Sequence, residues 1–183
     1  PKAPLALAFK LCGWCVSAWD KLISSSHDLT AEGNRAELRR ECQGATLLAA
    51  AFPCDTKTRI REIPRFFPDG RPIPGPLRSE EYPMGLPNLS GANKEKVRND
   101  NIVTSFVLTL QQEHEEKRLA AIRENPTRSL EWWQPQEVKM WASGKWMEKN
   151  YASCALMGTR CKQQTLRHCI PEIDQWPAVH CNH

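Results

Sequence analysis

Two cysteines set two residues apart, Cys12-Gly13-Trp14-Cys15, are the first residues in the chain whose spacing allows chemistry. A CxxC pair that opens a helix exchanges disulfides because the helix N-terminus stabilises the thiolate. Here Leu11 precedes the motif, the surrounding stretch is apolar, and nothing downstream reads as a parallel sheet. Thiol–disulfide exchange at Cys12 and Cys15 is the last of three functional expectations. Anchoring of the chain by disulfides from these two cysteines ranks above it.

The other concentration of reactive types lies at 129–183. It holds Cys154, Cys161, Cys169 and Cys181, with His168, His180 and His183, and five of the seven tryptophans. Zinc ligands come in close pairs such as C-x₂₋₄-C or H-x₃₋₅-H. The neighbours here, His168-Cys169 and His180-Cys181, are directly adjacent, so disulfides are expected and no metal is assigned. Seven helical residues rise about 10 Å, whereas a disulfide needs Cα atoms about 4.4–6.8 Å apart. Cys154, Cys161 and Cys169 must therefore bond to other segments, or the chain must bend at Gly158. With Cys42 and Cys54 all eight cysteines are disulfide candidates, and their pairing stays open.

Eight cysteines in 183 residues point to an oxidising compartment, the mitochondrial intermembrane space or thylakoid lumen, with secretion as the alternative. In a secreted chain Asn88-Leu89-Ser90 is a glycosylation sequon. A chain that starts at Pro1 without Met is expected to be a processed or trimmed product, which puts any cleaved targeting peptide out of view.

His114 stands among Glu113, Glu115 and Glu116 and is expected on a solvated helix face. There is no Gly-rich phosphate loop, no G-x-S-x-G and no H-E-x-x-H, so no catalytic residue and no cofactor is assigned. The net charge of +4 comes without a Lys/Arg block interleaved with aromatics, so nucleic acid is not an expected partner.

Five segments position these residues. Segment 1–27 is apolar from Leu5 to Ile23, with Lys10 inside it. It reads as a buried or interfacial helix, and as a membrane span in the alternative. Segment 28–54 reads as a short helix from Thr30 towards Phe52, stopped by Pro53. Segment 55–92 is a Pro-rich extended arm; eight of the fourteen prolines lie between Pro53 and Pro87. Its cations, Lys57, Arg59, Arg61, Arg65, Arg71 and Arg78, outnumber Glu62 and Asp69 and suit an acidic partner. Segment 93–125 is the longest helix, with a stripe of Val97, Val103, Phe106, Val107 and Leu110. Its polar stretch from Gln111 to Arg118 is expected in solvent. Segment 126–183 reads as a Trp/Cys-rich helical region with an extended tail. Ser129 and Pro135 start it, and Gly144 weakens it by about 1 kcal/mol.

The expected fold is mainly α: helices joined by the Pro-rich segment, a disulfide-stapled C-terminal region, and little or no β-sheet. Such a chain has no obvious closed core and must bury apolar surface on partners. The leading functional expectation is a non-catalytic accessory subunit. It would bind and stabilise a large organellar membrane complex, respiratory or photosynthetic, from the intermembrane-space or lumenal side. A secreted, disulfide-stabilised binding protein or effector is the alternative. Other protein subunits are the expected partners, with membrane contact through 5–23. The side chains expected to meet them are Trp14, Trp19, Phe66, Phe67, Ile73, Trp132, Trp133, Trp141 and Trp146.

Overall fold

Three of the helices expected from the sequence end early, and the residues beyond each end pair as a strand. The structure, a computed structural model, describes residues 4–64, 66–153 and 162–177. The chain divides into two compact units, Pro1–Ala45 and Thr46–His183.

In the first unit α1 (Pro4–Leu11) ends before Cys12-Gly13, far short of Ile23. No helix among the described residues is long and apolar enough to cross a membrane. α2 (Glu32–Cys42) buries Leu38 and Cys42. Ser17 Oγ and Trp19 Nε1 donate to one oxygen of Glu41, at 2.6 and 2.9 Å. These two bonds hold the Glu41 carboxyl below its usual range. The Trp19 ring lies 4.7 Å from that of His27, centre to centre.

The second unit is built on a four-stranded mixed sheet of β1 (Leu47–Ala51), β2 (Ala120–Pro126), β3 (Met147–Ala152) and β4 (Gln163–His168), in the order β1-β2-β4-β3. β1 and β2 are parallel, and β4 runs antiparallel to both of its neighbours. This overturns the expectation of a helical chain with little or no sheet. Gly44 ends the helical run before the alanines, and Leu47 to Ala51 then pair with Ala120 to Glu124. Alanine favours helix by propensity, but cross-strand pairing outweighs that weak bias.

α3 (Gly91–Glu116) carries the chain from β1 across to its parallel neighbour β2, as a parallel pair requires. It stops short of the expected end near Glu124, in a Schellman turn. Arg118 N donates to the Glu115 carbonyl and Leu119 N to that of His114, both at 2.9 Å. Arg118 takes the left-handed conformation (φ 58°) that this turn demands. Beyond it Ala120–Pro126 alternates between half-buried and buried, the period of a strand. Likewise α4 (Pro135–Ala142) closes at Gly144, which supplies φ 71°, and β3 comes next.

The buried face of α3 is half polar: Asp100, Thr104, Gln111 and His114 alternate with Val97, Val107 and Leu108. The polar stretch expected in solvent thus contributes to the interior. Gln111 is fully buried and donates to the Ile122 carbonyl at 2.9 Å. His114 is buried, with Nδ1 3.2 Å from the Leu110 carbonyl.

No disulfide forms among Cys12, Cys15, Cys42, Cys54 and Cys169, so the stapled region is not found among the described residues. Cys169 serves a different purpose. Its sulfur accepts from Ala121 N at 3.2 Å and sits against the Leu119 carbonyl, joining the end of β4 to the start of β2. Cys154, Cys161 and Cys181 lie outside the described residues.

Left-handed backbone costs a non-glycine residue about 1–2 kcal/mol, part of which glycine gives back in chain entropy. Arg118→Gly is therefore expected to stabilise the protein by up to about 1 kcal/mol. Chemical denaturation with an unchanged m-value checks this.

Candidate functional site

The second unit buries charge on a scale unusual for its size, and that charge fixes the geometry of one exposed loop. Asp100 of α3 is the centre of a first cluster. Lys57, just after β1, is fully buried. Its Nζ lies 3.0 Å from Asp100 Oδ1, 2.6 Å from Glu131 Oε2 and 2.5 Å from Thr104 Oγ1. Arg78 meets Asp100 from the other side, with Nη2 3.0 Å from Oδ2. Its Nη1 donates to the Pro83 carbonyl and to Asn101 Oδ1, and its Nε to Thr56 Oγ1. Thr56 in turn donates to Asp100.

A second cluster lies between α4 and the sheet. Arg123 of β2 and Arg167 of β4 stand opposite each other in the strand register. Both reach Glu137 Oε1, Arg123 at 2.7 Å and Arg167 at 2.6 Å. Arg167 also contacts Glu148 of β3 at 3.1 Å. Indole rings cover both cations: Trp146 lies 4.0 Å from the Arg123 guanidinium, and Trp132 and Trp141 lie 4.4 and 4.5 Å from that of Arg167. The two clusters bury four cations (Lys57, Arg78, Arg123, Arg167) against three anions (Asp100, Glu131, Glu137), and the exposed Glu148 pairs with Arg167 from the edge. Burial pushes the Glu131 carboxyl up, and Lys57 opposes that. Burial also lowers the affinity of Arg78 and Arg123 for their protons, countered by Asp100 and Glu137 respectively.

Between Lys57 and Arg78 runs the loop 58–76. Its ends are fixed by those two cations and by buried Leu77, whose carbonyl accepts from Leu86 N at 3.0 Å. A 3₁₀ turn, Arg59–Glu62, is capped by Thr58. Phe67-Pro68-Asp69-Gly70-Arg71 then forms a hairpin turn. Phe67 N donates to the Arg71 carbonyl, Gly70 N to that of Phe67, and Gly70 takes φ 83°. Proline at the first corner and glycine in the left-handed position are what a three-residue hairpin loop needs. Phe66 bridges Pro72 across it, and Asp69 holds Arg71 over the Phe67 ring. The loop turns Ile60, Ile63, Phe66 and Phe67 outward, with Phe66 65% and Ile63 61% exposed.

Among the described residues of the loop, Arg59, Arg61 and Arg71 are paired within the fold. Arg59 pairs with Glu62 and Glu80, Arg61 with Asp55, and Arg71 with Asp69. The excess of basic residues counted in the sequence is therefore not an equal excess of unpaired surface charge.

The residues expected to meet partners divide. Phe66, Phe67, Trp14, Trp133 and Trp141 are exposed, and Ile73 is half-buried. Trp19 is bonded to Glu41, while Trp132, Trp141 and Trp146 are gathered on the two arginines. Cys12 and Cys15 are exposed and come after the C-terminus of α1, the opposite helix end from the one that favours a thiolate. Cys42 is buried and Cys54 half-buried. His168 is buried in β4, its Nδ1 accepting from Ile170 N at 3.3 Å. Among the described residues no group of His, Cys, Asp or Glu is placed to hold a metal ion. His180 and His183 lie outside them. Sequence reasoning missed Asp100, Arg123, Glu131, Glu137 and Arg167, which carry no motif. Pro68-Asp69-Gly70 did carry a turn signal.

Comparison with known family models, with curated proteins and with solved structures gives no match.

Removing one member of a buried pair leaves its partner uncompensated, at about 3–5 kcal/mol. Lys57→Met is expected to lose about that much stability in denaturant melts and to make loop 58–76 the first site of limited proteolysis. On the other face of the sheet, burial raises the Glu124 carboxyl, with Lys162 opposing. A raised carboxylate destabilises the fold above its folded-state value and ceases to do so as pH falls below the ordinary 4.5. Glu124→Gln should therefore raise Tm at pH 7, and the gain should shrink as the pH is taken down to 4.5.

Proposed function

We propose that this chain is a non-catalytic accessory subunit that binds and stabilises a larger protein assembly, with loop 58–76 as its docking element. The observation that carries this reading is a contrast within one loop. Its two ends are anchored by fully buried cations on a common aspartate, while Ile60, Ile63, Phe66 and Phe67 between them face solvent. Ordered apolar side chains on a fixed loop favour binding, because little further entropy is lost when a partner covers them. All four residues belong to one loop whose two ends are held by buried charge. The membrane-complex setting drawn from the apolar N-terminus belongs to the same proposal.

The test is the native size of the assembly. In a gently solubilised native extract the chain is expected to run in a particle many times its own 20.9 kDa. The double variant Phe66→Ser, Phe67→Ser should run as the free chain, with an unchanged Tm because neither ring is in the core. A wild-type chain that runs free, or a double variant that stays in the particle, would overturn the proposal.

A further inference from the structure

The two edges of the sheet differ in chemistry. β3 lies at one edge and carries Glu148 and Lys149, with Lys149 Nζ donating to the Asp174 carbonyl at 3.1 Å. Charged side chains of this kind keep an edge strand from adding a further strand. β1 lies at the other edge. Its five residues, Leu47-Leu48-Ala49-Ala50-Ala51, carry no charge and no proline, and its register with β2 runs without a bulge.

The direction of its backbone groups follows from that pairing. In a parallel pair, alternate residues of a strand bond to the neighbour, and those between them turn their N–H and C=O away. The Thr46 carbonyl accepts from Ala120 N at 3.2 Å. Thr46, Leu48 and Ala50 therefore bond towards β2, and the backbone groups of Leu47, Ala49 and Ala51 point outward. No hydrogen bond among the described residues reaches these outward groups. Ala49 and Ala51 are exposed, and Leu47 is half-buried.

We infer that β1 pairs antiparallel with β1 of a second copy of this chain, across a two-fold axis at Ala49. This register joins two four-stranded sheets into one. Ala49 faces its own counterpart, and Leu47 faces Ala51 of the other copy; each such pair exchanges both N–H···O bonds. Between them Leu48 meets Ala50. Each leucine thus lies against an alanine, and no charge meets its like, so the strand is its own complement. Nothing in β1 offers a charged or polar side chain by which it could select a different strand. Pro53, two residues beyond the strand, has no N–H to give and ends the ladder. A ladder this short belongs with small interfaces, below about 1,200 Å², so the pair is expected to separate on dilution through the micromolar range.

The experiment is sedimentation velocity on the purified full chain over a dilution series. The wild type is expected to fall from about twice 20.9 kDa to 20.9 kDa as it is diluted. Ala49→Lys and Ala49→Glu each set like charges across the axis and should run as single chains throughout. Mixed in equal amounts they should pair again, because position 49 then faces the opposite charge. Ala49 is exposed and its N–H is not used by β2, so Tm is expected to hold. A variant with a lowered Tm hands the decision to amide exchange on the wild type. The amides of Leu47, Ala49 and Ala51 should exchange about tenfold faster in dilute than in concentrated solution, while those of Leu48 and Ala50 stay protected in both.

A wild type that is single at every concentration would overturn the inference, as would lysine and glutamate variants that still pair alone or fail to pair when mixed. Outward amides whose exchange ignores concentration would do the same. The pairing is independent of loop 58–76, and the two proposals fail separately. The Phe66→Ser, Phe67→Ser variant, released from the larger particle, should still pair. A chain that pairs when pure but joins no larger particle loses the docking function alone. One that joins the particle but is single when pure loses the pairing alone.

Discussion

Asp100 is the residue on which the second unit's arrangement turns. A single carboxylate on α3 holds Lys57 on one side and Arg78 on the other. Those two cations come from positions far apart in the chain, at either end of the Pro-rich loop. Taking a charge out of water is expensive unless it is paired and hydrogen-bonded. Here each charge is, so the cost of burying Lys57 and Arg78 becomes a condition on the path of the chain. The loop must leave and return where Asp100 can reach both.

The same logic extends across the sheet. Glu137 on α4 is reached by Arg123 and Arg167 from adjacent strands, and Glu131 sits between that cluster and Lys57. The fully buried aliphatic side chains are few, Leu108 and Leu110 among them, while Arg123, Gln111 and Glu131 are equally buried. A polar interior of this kind is not an efficient source of stability, because apolar groups of the same volume would serve as well or better. What it adds is direction. Hydrogen bonds and indole faces fix the angles of Arg123 and Arg167, and so the position of α4 over the strands. The tryptophans near the C-terminus belong to this scaffold: Trp132, Trp141 and Trp146 cover cations more than they cover apolar core.

This explains what could be read from the chain and what could not. The start of α3 and the start of α4 at Pro135 obey local rules, and local rules were visible. The strands were not. Leu47 to Ala51 is a run of helix-favouring residues, and it becomes a strand only because Ala120 to Glu124 lies beside it. Ala120–Pro126 alternates in burial, but its buried positions include Arg123 and Asn125, which no hydrophobic pattern reveals. Apolar periodicity likewise missed the buried face of α3, where Asp100, Thr104, Gln111 and His114 occupy core positions. A charge run in sequence has the same form whether it is solvated or paired across the fold. Arg59, Arg61 and Arg71 read as a basic surface until their carboxylate partners, Glu80 and Asp55 among them, were brought alongside.

The division of labour between buried charge and exposed ring also accounts for the composition of loop 58–76. A loop of this length left to itself samples many conformations, and ordering it on a partner would consume much of the binding free energy. Prolines restrict the unbound chain, the hairpin turn at Pro68-Asp69-Gly70 closes its tip, and the cation pair on Asp100 fixes its roots. With the backbone held in this way, the apolar side chains have no need to pack inward to stabilise the loop. Ile60, Ile63, Phe66 and Phe67 can stay outside because the charges at the roots of the loop are inside.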